Sequence, residues 1–385
     1  MQSATFAGLR SRPTEALEPA LGALALYERS GDVRGQLECL YLLVDFTANI
    51  GDLEASRAYL ARMHERAGDL GDRLVEARAL GVAAQAALLR AEYRSSYDLS
   101  RQALALQLAT GDRDGEAASR GRLAVSGAWL GDFATALRDF ELALETYASI
   151  GNTRGLALTY TNRTLLLMRL GLFDDALDSI AHSNELFAVA HEERTVVANK
   201  VNASFVSLQR GDAPQAQALA LEALELAKQI GFPVFEAAAL ANLGNAERAL
   251  GFFERAIAHM EAGIALRRAV QEPRDFVDDL ADLTLAYAGA GRNPDALRTA
   301  EELLAIDGGR FAGALWPHYV RWAVAQGLGA GGQAARAAAE AARARDEMRA
   351  FAERIDDERA RGAFLAVPIN VAIAAQPAAK RRTIR

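Results

Sequence analysis

The stretch LANLGNAERALGFFERAI, Leu240–Ile257, decides the fold, because it contains two glycines seven residues apart in an otherwise helix-forming segment. Gly251 follows an apolar helical pattern and is typical of the residue just after a helix, where the chain turns left-handed and glycine does so without strain. Phe253 and Ala256 then begin a second helical pattern. We interpret the stretch as one helix, a tight turn and the start of a second helix, with Gly244 allowing the two to pack closely.

The same turn signal recurs every twenty residues. The gaps in this grid, at Ala91, His191 and Gln271, keep its register. Aspartate follows several of the glycines, in SGD, IGD, LGD and TGD, where its carboxylate caps the first amides of the next helix. The glycines on the grid are Gly31, Gly51, Gly71, Gly111, Gly131, Gly151, Gly171, Gly211, Gly231, Gly251 and Gly291.

A column of small residues doubles the period to forty. It stands five residues after every second grid point, and a second, mostly small column follows seven residues later on the same helix face. Small side chains on one face let neighbouring helices approach from both sides, so the repeating unit is a helical hairpin. The pattern predicts an all-α, right-handed α-solenoid of about eight hairpins. The first column is Ala16, Ser56, Ser96, Ala136, Ala176, Ala216, Ala256 and Ala296.

The grid divides the chain into four parts. Residues 1–30 form an incomplete repeat, 31–350 form eight repeats of forty residues, 351–375 close the array, and 376–385 form a disordered basic tail. A short closing helix is expected from about Asp356 to Phe364. Because the chain opens inside a repeat without a polar cap, we favour a piece of a larger protein over a first helix improvised from residues 3–10.

The amino-acid composition limits which classes of partner and which cellular compartment are expected. The formal net charge of −7 disfavours a broad nucleic-acid surface. No long uncharged apolar run predicts a membrane span, and the single cysteine, Cys39, fits a reducing cytoplasm and a place in the core.

No motif predicts catalysis, a cofactor or a metal. The glycine-rich GLGAGG, Gly327–Gly332, follows a helix and is interpreted as a hairpin turn on the grid at Gly331. The five histidines are scattered. The acidic cluster Asp275, Asp278, Asp279 and Asp282 has helical spacing and is interpreted as a partly solvated helix face.

The repeat resembles a known family. Leu243, Gly244, Leu250, Gly251 and Ala256, together with the Phe after the turn, closely resemble the tetratricopeptide repeat (TPR) signature, and the forty-residue period is similar to its long-helix variant. The linkers GDVRG, GDRDG and GNTRG match that variant too. The resemblance implies a scaffold whose first helices line a concave groove.

A narrower resemblance concerns the end of the chain. The segment IDDERARGAFLAVPINVAIA is similar to the closing part of the C-terminal TPR regions of large bacterial transcriptional activators and adenylate-cyclase-like regulators. This resemblance implies an ATPase or cyclase module upstream.

Four polar residues recur at forty-residue intervals on successive first helices: Asn162, Asn202, Asn242 and Asp282. Stacked hairpins would align them as a ladder that hydrogen-bonds an extended peptide, as in the similar arrays of kinesin light chains and O-linked sugar transferases. The alternative is that each one bonds a neighbouring helix and stabilises the stack. The further residues assigned to this surface are Asn199, Phe205, Asn245 and Arg248, with Tyr41 and Asp45 extending it towards the amino end.

These features predict a cytoplasmic, non-catalytic TPR scaffold that binds a protein or peptide in its groove. Ala241 and Asn245 do not complete the Lys/Asn clamp used for chaperone tails. The alternative function is a small-molecule- or signal-sensing region cut from a multidomain ATPase- or cyclase-type regulator. An enzyme would require a catalytic group that the sequence does not reveal.

Overall fold

The computed structural model describes residues 13–49, 52–187, 193–269, 276–306, 311 and 313–375. These residues form 19 helices and no strand. The sequence expectations for residues 1–12, for residues 50–51 and for the basic tail 376–385 concern residues outside the described part. The helices are α1 Pro13–Ser30, α2 Val33–Asn49, α3 Leu53–Leu70, α4 Arg73–Leu89, α5 Tyr93–Thr110, α6 Arg113–Leu130, α7 Phe133–Ser149, α8 Thr153–Arg169, α9 Phe173–Phe187, α10 Glu193–Gln209, α11 Ala213–Gln229, α12 Pro233–Ala249, α13 Phe253–Ala269, α14 Phe276–Gly289, α15 Asn293–Ala305, α16 Pro317–Ala330, α17 Ala334–Glu353, α18 Glu358–Ala366 and α19 Pro368–Ala374.

The predicted turns are left-handed at the described grid glycines. Gly251, for example, has φ +84° between α12 and α13. Ala91, one of the gaps in the grid, also adopts φ +59°, so the turn persists there at the cost of some strain. The aspartates that follow the glycines cap the next helices, as in the 3.0 Å bond from the Gly115 amide to Asp112.

The small residues lie where helices touch. All eight members of the first column are at most 1% exposed. A Cβ atom added to Gly244 would come within 2.9 Å of the Ala256 carbonyl oxygen, so α12 and α13 are in backbone contact. Gly155 is equally confined, since its Cβ would lie 2.5 Å from the Tyr147 ring. This contact explains the second glycine of the GNTRG linker.

The chain divides into two compact units, residues 1–159 and 160–385, here called unit 1 and unit 2. The core of unit 1 includes Leu40, Phe46 and the buried Cys39, as expected for that cysteine. The core of unit 2 includes Tyr287 and Phe311.

Successive first helices pack directly on one another within each unit. In unit 1, α2 contacts α4 and α4 contacts α6; in unit 2, α10 contacts α12, α12 contacts α14 and α14 contacts α16. The first helices therefore occupy the side on which neighbouring hairpins come closest, and we call this side the inner face of each unit. The prediction of an all-α solenoid of helical hairpins is confirmed.

The last turns differ from the sequence expectation. The left-handed residue after α16 is Gly332, with φ +77°, and Gly331 is the preceding residue in a normal conformation. After α17 the chain forms the short helix α18, Glu358–Ala366, and then a second short helix, α19, which the sequence analysis did not predict. Pro368 occupies the first turn of α19, where proline is favoured. No helix in the described part of the chain is long and apolar enough to span a membrane.

We expect Ala256→Trp to lower the free energy of unfolding by at least about 1–3 kcal/mol, because the indole must displace the α12 backbone at a fully buried position. Urea unfolding followed by circular dichroism measures the effect. Ala258→Trp, at an exposed position of the same helix, is the control and should change stability by less than about 0.5 kcal/mol. Equal stability of the two variants would contradict the helix contact described here.

Candidate functional site

The polar ladder of the sequence lies on the first helices of unit 2. Asn162, Asn202, Asn242 and Asp282 belong to α8, α10, α12 and α14, respectively. Asn162 is exposed, and the other three are partly buried. The four residues share a helix position, but their surroundings differ.

Asn242 bonds the neighbouring hairpin. Its amide nitrogen donates to the carbonyl oxygen of Val201 on α10, at 2.7 Å. This bond satisfies a side-chain donor against a backbone acceptor and ties α12 to α10. Asn242 therefore fits the stacking alternative.

Asn199 does not belong to the exposed surface to which the sequence assigned it. It is fully buried, and its amide nitrogen donates to Ser183 at 3.0 Å and to Asn184 at 2.8 Å. Its oxygen accepts a bond from Thr161 at 3.2 Å. Asn199 and Asn202 are three residues apart on one helix, so their side chains point in similar but not identical directions. This difference is enough for the Asn199 side chain to lie between the helices.

The side chains of Asn162 and Asn202 remain available to hydrogen-bond a ligand. Among the described residues, neither side chain has a hydrogen-bond partner, and both are in contact with solvent. Phe205 follows Asn202 by one turn on α10 and is partly exposed. Two amides on successive first helices, next to an aromatic ring, are suited to bind a polar chain with apolar side groups.

Asn245, Arg248 and Asp282 are brought together, as the sequence proposed, but they bond one another. The Asn245 amide donates to the Asp282 carboxylate at 2.5 Å, and Arg248 donates to the Asn245 oxygen at 3.2 Å. Tyr319 of α16, which sequence reasoning missed, donates its hydroxyl to the same carboxylate.

Burial is the main cause of the pKa shifts in this cluster. It raises the pKa of Asp282, against the lowering effect of the nearby Arg248 guanidinium and the two hydrogen bonds. Burial, with the Asp282 charge, also raises the pKa of Tyr319 well above its ordinary value, so the phenol stays a donor. The cluster is a polar network that joins α12, α14 and α16.

The other members of the acidic cluster also have partners. Asp278 accepts a bond from the Leu315 amide at 3.0 Å, and Asp279 forms a buried ion pair with Arg267. Asp275 lies outside the described residues. No group of three or more potential ligands in the described part of the chain is arranged to hold a metal ion.

Unit 2 closes on itself through an aromatic contact. The ring of Trp316, at the start of α16, lies 5.9 Å from that of Phe205, centroid to centroid, and its indole nitrogen donates to the Arg169 carbonyl oxygen at 2.9 Å. The two bonded residues are 147 positions apart in sequence. Phe205 therefore lies beside a contact between the two ends of the unit.

The C-terminal helices strengthen this closure. Arg359 of α18 pairs with Asp175 of α9 at 2.7 Å, and Val367 packs against Gly171, where a Cβ atom would come within 2.7 Å of it. His318 of α16 donates its Nε2 proton to the Asn370 oxygen at 2.9 Å, since the Asn370 nitrogen is engaged with a carbonyl. No sequence signal links these segments.

Tyr41 and Asp45 belong to α2 of unit 1, whereas the residues discussed above belong to unit 2. Tyr41 is 38% exposed. The side chain of Asp45 lies outside the described part of the structure.

No protein-family model matches the chain, and no curated protein matches it. Several solved structures do match the chain. A Rap protein complexed with Competence and Sporulation Factor has a TM-score of 0.59 at 14% identity, covering 89% of this chain and 98% of that one. NprR in complex with its cognate peptide NprX has a TM-score of 0.54 at 16% identity, covering 75% of this chain and 87% of that one.

A Signal Transduction ATPase with Numerous Domains from Pyrococcus horikoshii, which carries a TPR sensor, has a TM-score of 0.52 at 15% identity. The alignment covers 91% of this chain, which spans 55% of that one. At such identities the likeness concerns the fold alone. The chain has a TPR-type fold of helical repeats.

We expect Asn242→Ala to lower the free energy of unfolding by about 1 kcal/mol, because it leaves the Val201 carbonyl without its donor. Asn202→Ala, one rung away, should change it by less than about 0.5 kcal/mol. Urea unfolding of the two variants compares them directly. Equal losses would contradict the different roles assigned to these two asparagines.

A pH dependence should arise from His318. Burial, helped by the Arg169 charge, lowers its pKa from the ordinary 6.5 to about 4. In the unfolded chain the imidazole takes up its proton first as the pH falls, so its contribution is present above pH 6.5 and is lost between about pH 6.5 and 4.

Between pH 7 and 4.5, wild-type protein should lose about 2 kcal/mol more stability than His318→Gln, which cannot titrate. Urea unfolding at the two pH values, with Trp fluorescence as the signal, tests this difference. Identical losses in the two proteins would show that His318 does not titrate in this way.

Proposed function

We propose that the chain is a non-catalytic, cytoplasmic scaffold of the long-helix TPR type, which binds an extended peptide segment on the inner face of unit 2. The observation that carries the proposal is the pair Asn162 and Asn202. They are solvent-accessible amides at equivalent positions of successive first helices, without partners among the described residues.

The chemistry of this pair suits a peptide backbone. Each amide offers a donor and an acceptor, which matches the alternating carbonyl and N–H groups of an extended chain. Phe205, next to Asn202, offers an apolar contact for a peptide side chain. The other polar residues of the ladder hold the hairpins in place, which keeps the two free amides in a set geometry.

The comparisons support this reading by analogy of fold. NprR is a neighbour that was solved with its cognate peptide, and the Rap protein was solved with Competence and Sporulation Factor. This analogy supports our proposal that the chain acts in bacterial signalling, with a protein or peptide as its partner.

A second candidate function is favoured by the likeness to the ATPase with a TPR sensor. This chain spans 55% of that protein. It would then be the sensing region of a larger regulator, with an ATPase or cyclase module upstream and a small molecule or signal as its ligand. A nucleotide-binding domain encoded directly upstream in the same reading frame would support this candidate, and an unrelated gene there would count against it.

The peptide proposal is tested with a displayed library of random dodecapeptides, selected on the wild-type protein. Asn162→Ala combined with Asn202→Ala should abolish capture of the selected peptides while the helical content stays unchanged. The amides supply the hydrogen bonds, so we expect a loss in affinity of at least about tenfold.

The matched control removes two exposed amides from second helices, Gln215→Ala on α11 and Asn293→Ala on α15. This control should bind the selected peptides as the wild type does. Failure to select any peptide, or equal affinity of both double variants, would overturn the proposed site.

A further inference from the structure

Unit 1 contains a guanidinium that no carboxylate of the described residues neutralises. Arg122 lies in the middle of α6, on the inner face, and its Nη2 atom is 3.1 Å from the position of a Cβ added to Gly81 of α4. The guanidinium thus extends across the neighbouring first helix, over a residue that has no side chain.

The hydrogen bonds of Arg122 are mostly unmade. Its Nη2 donates to the buried hydroxyl of Ser119 at 3.0 Å, and its Nε is buried without a hydrogen-bond partner in the described part of the structure. A guanidinium has five N–H donors, so one acceptor leaves most of its capacity unused. A buried donor without an acceptor is costly, and the cost is greater when it carries charge.

The titratable groups that act on Arg122 are phenols and not carboxylates, namely those of Tyr41 and Tyr147. Burial raises the pKa of Tyr147 to about 12, so this phenol is neutral at pH 7. Burial also lowers the pKa of Arg122 from its ordinary value.

Two other arginines of this structure have the carboxylate partners that Arg122 lacks among the described residues. Arg120, two residues earlier on α6, pairs with Glu116 at 3.1 Å and with Asp139 at 3.3 Å. Arg321 of unit 2 likewise pairs with Glu340 at 2.8 Å and with Glu347 at 2.7 Å. These two arginines pair with carboxylates, whereas Arg122 donates its hydrogen bond to the Ser119 hydroxyl.

We propose that Arg122, which is bonded to the Ser119 hydroxyl, forms a carboxylate-binding site on the inner face of unit 1. Arg122 is partly exposed although its Nε is buried, and Tyr41 is 38% exposed, so the proposed ligand would approach from the solvent side of Arg122. The planar guanidinium fork matches a carboxylate in shape and charge. One positive charge neutralises one carboxylate, whereas a phosphate dianion would remain half unpaired.

The site does not depend on the peptide-binding amides of unit 2, since its residues belong to α2, α4 and α6. It takes a carboxylate from either of two sources, the C-terminus of a ligand or an acidic side chain. The two sources differ in the groups that flank the carboxylate, so small probes distinguish them.

The experiment follows the Nε–Hε signal of Arg122 by NMR in the 385-residue chain, with the signal identified by its absence in Arg122→Lys. The probes are N-acetyl-alanine for a C-terminus, N-acetyl-glutamate α-amide for an acidic side chain, N-acetyl-alanine amide as the uncharged control, and inorganic phosphate. We expect a saturable downfield shift with at least one of the two carboxylates and none with the uncharged control.

Two variants make the result specific. Arg122→Gln should lose the carboxylate response measured on neighbouring backbone amides, and Arg122→Lys, which keeps the charge without the fork, should weaken binding by about tenfold. Arg113→Gln, on the same helix, removes an arginine that already pairs with Glu116 and should bind as the wild type does. If Arg122→Gln does not fold, the carboxylate affinity of Arg122→Lys is compared with that of the wild type instead.

The proposal is overturned if the Arg122 signal does not move, if the uncharged amide moves it equally, or if Arg122→Lys binds as tightly as the wild type. A response to phosphate without a response to either carboxylate would also overturn it. The Asn162→Ala and Asn202→Ala double variant should keep the full response, so the failure of one site does not obscure the other.

Discussion

The contact on which the structure depends is the close approach of two helix backbones across small residues. At Gly244 even a single methyl group would meet the Ala256 carbonyl oxygen at 2.9 Å. Helices at this separation are held by many short dispersion contacts, which larger side chains would prevent. Because the same column of small residues is buried in every hairpin, each hairpin presents a similar surface to the next. The repeat of the fold follows from the repeat of this contact.

Stacking of this kind places equivalent residues of the first helices in rows, but it does not give them equivalent roles. Asn242 donates to a backbone carbonyl of the preceding first helix, whereas Asn202 at the same position of that helix has no described partner. Arg120 and Arg122 differ in the same way, since the first meets two carboxylates and the second meets none among the described residues. In each pair, the neighbours decide whether a polar group supports the stack or is available to a ligand.

Closure adds a second constraint in unit 2. Trp316 bonds the backbone at Arg169, and the helices α18 and α19 pack against the turn at Gly171. These contacts connect segments that lie far apart in the chain, so they oppose the opening of the unit. They also include the buried His318, which bonds Asn370 of α19 and whose pKa is lowered to about 4 by burial.

The sequence by itself determined the local structure of this protein. Glycine at twenty-residue intervals, aspartate after it and small residues at forty-residue intervals act within one or two turns of helix, and they were sufficient to predict the hairpins, their turns and their caps. The polar residues at helical and forty-residue spacing also assigned Asn245, Arg248 and Asp282 to one surface, but not their bonds to one another. Only the tertiary structure decided that Asn199 is buried, that Trp316 reaches Arg169 and that Arg122 lacks a carboxylate. The physical reason is that each outcome depends on contacts between helices: the side chains of adjacent helices enclose Asn199 and surround Arg122, and Trp316 meets a residue 147 positions away.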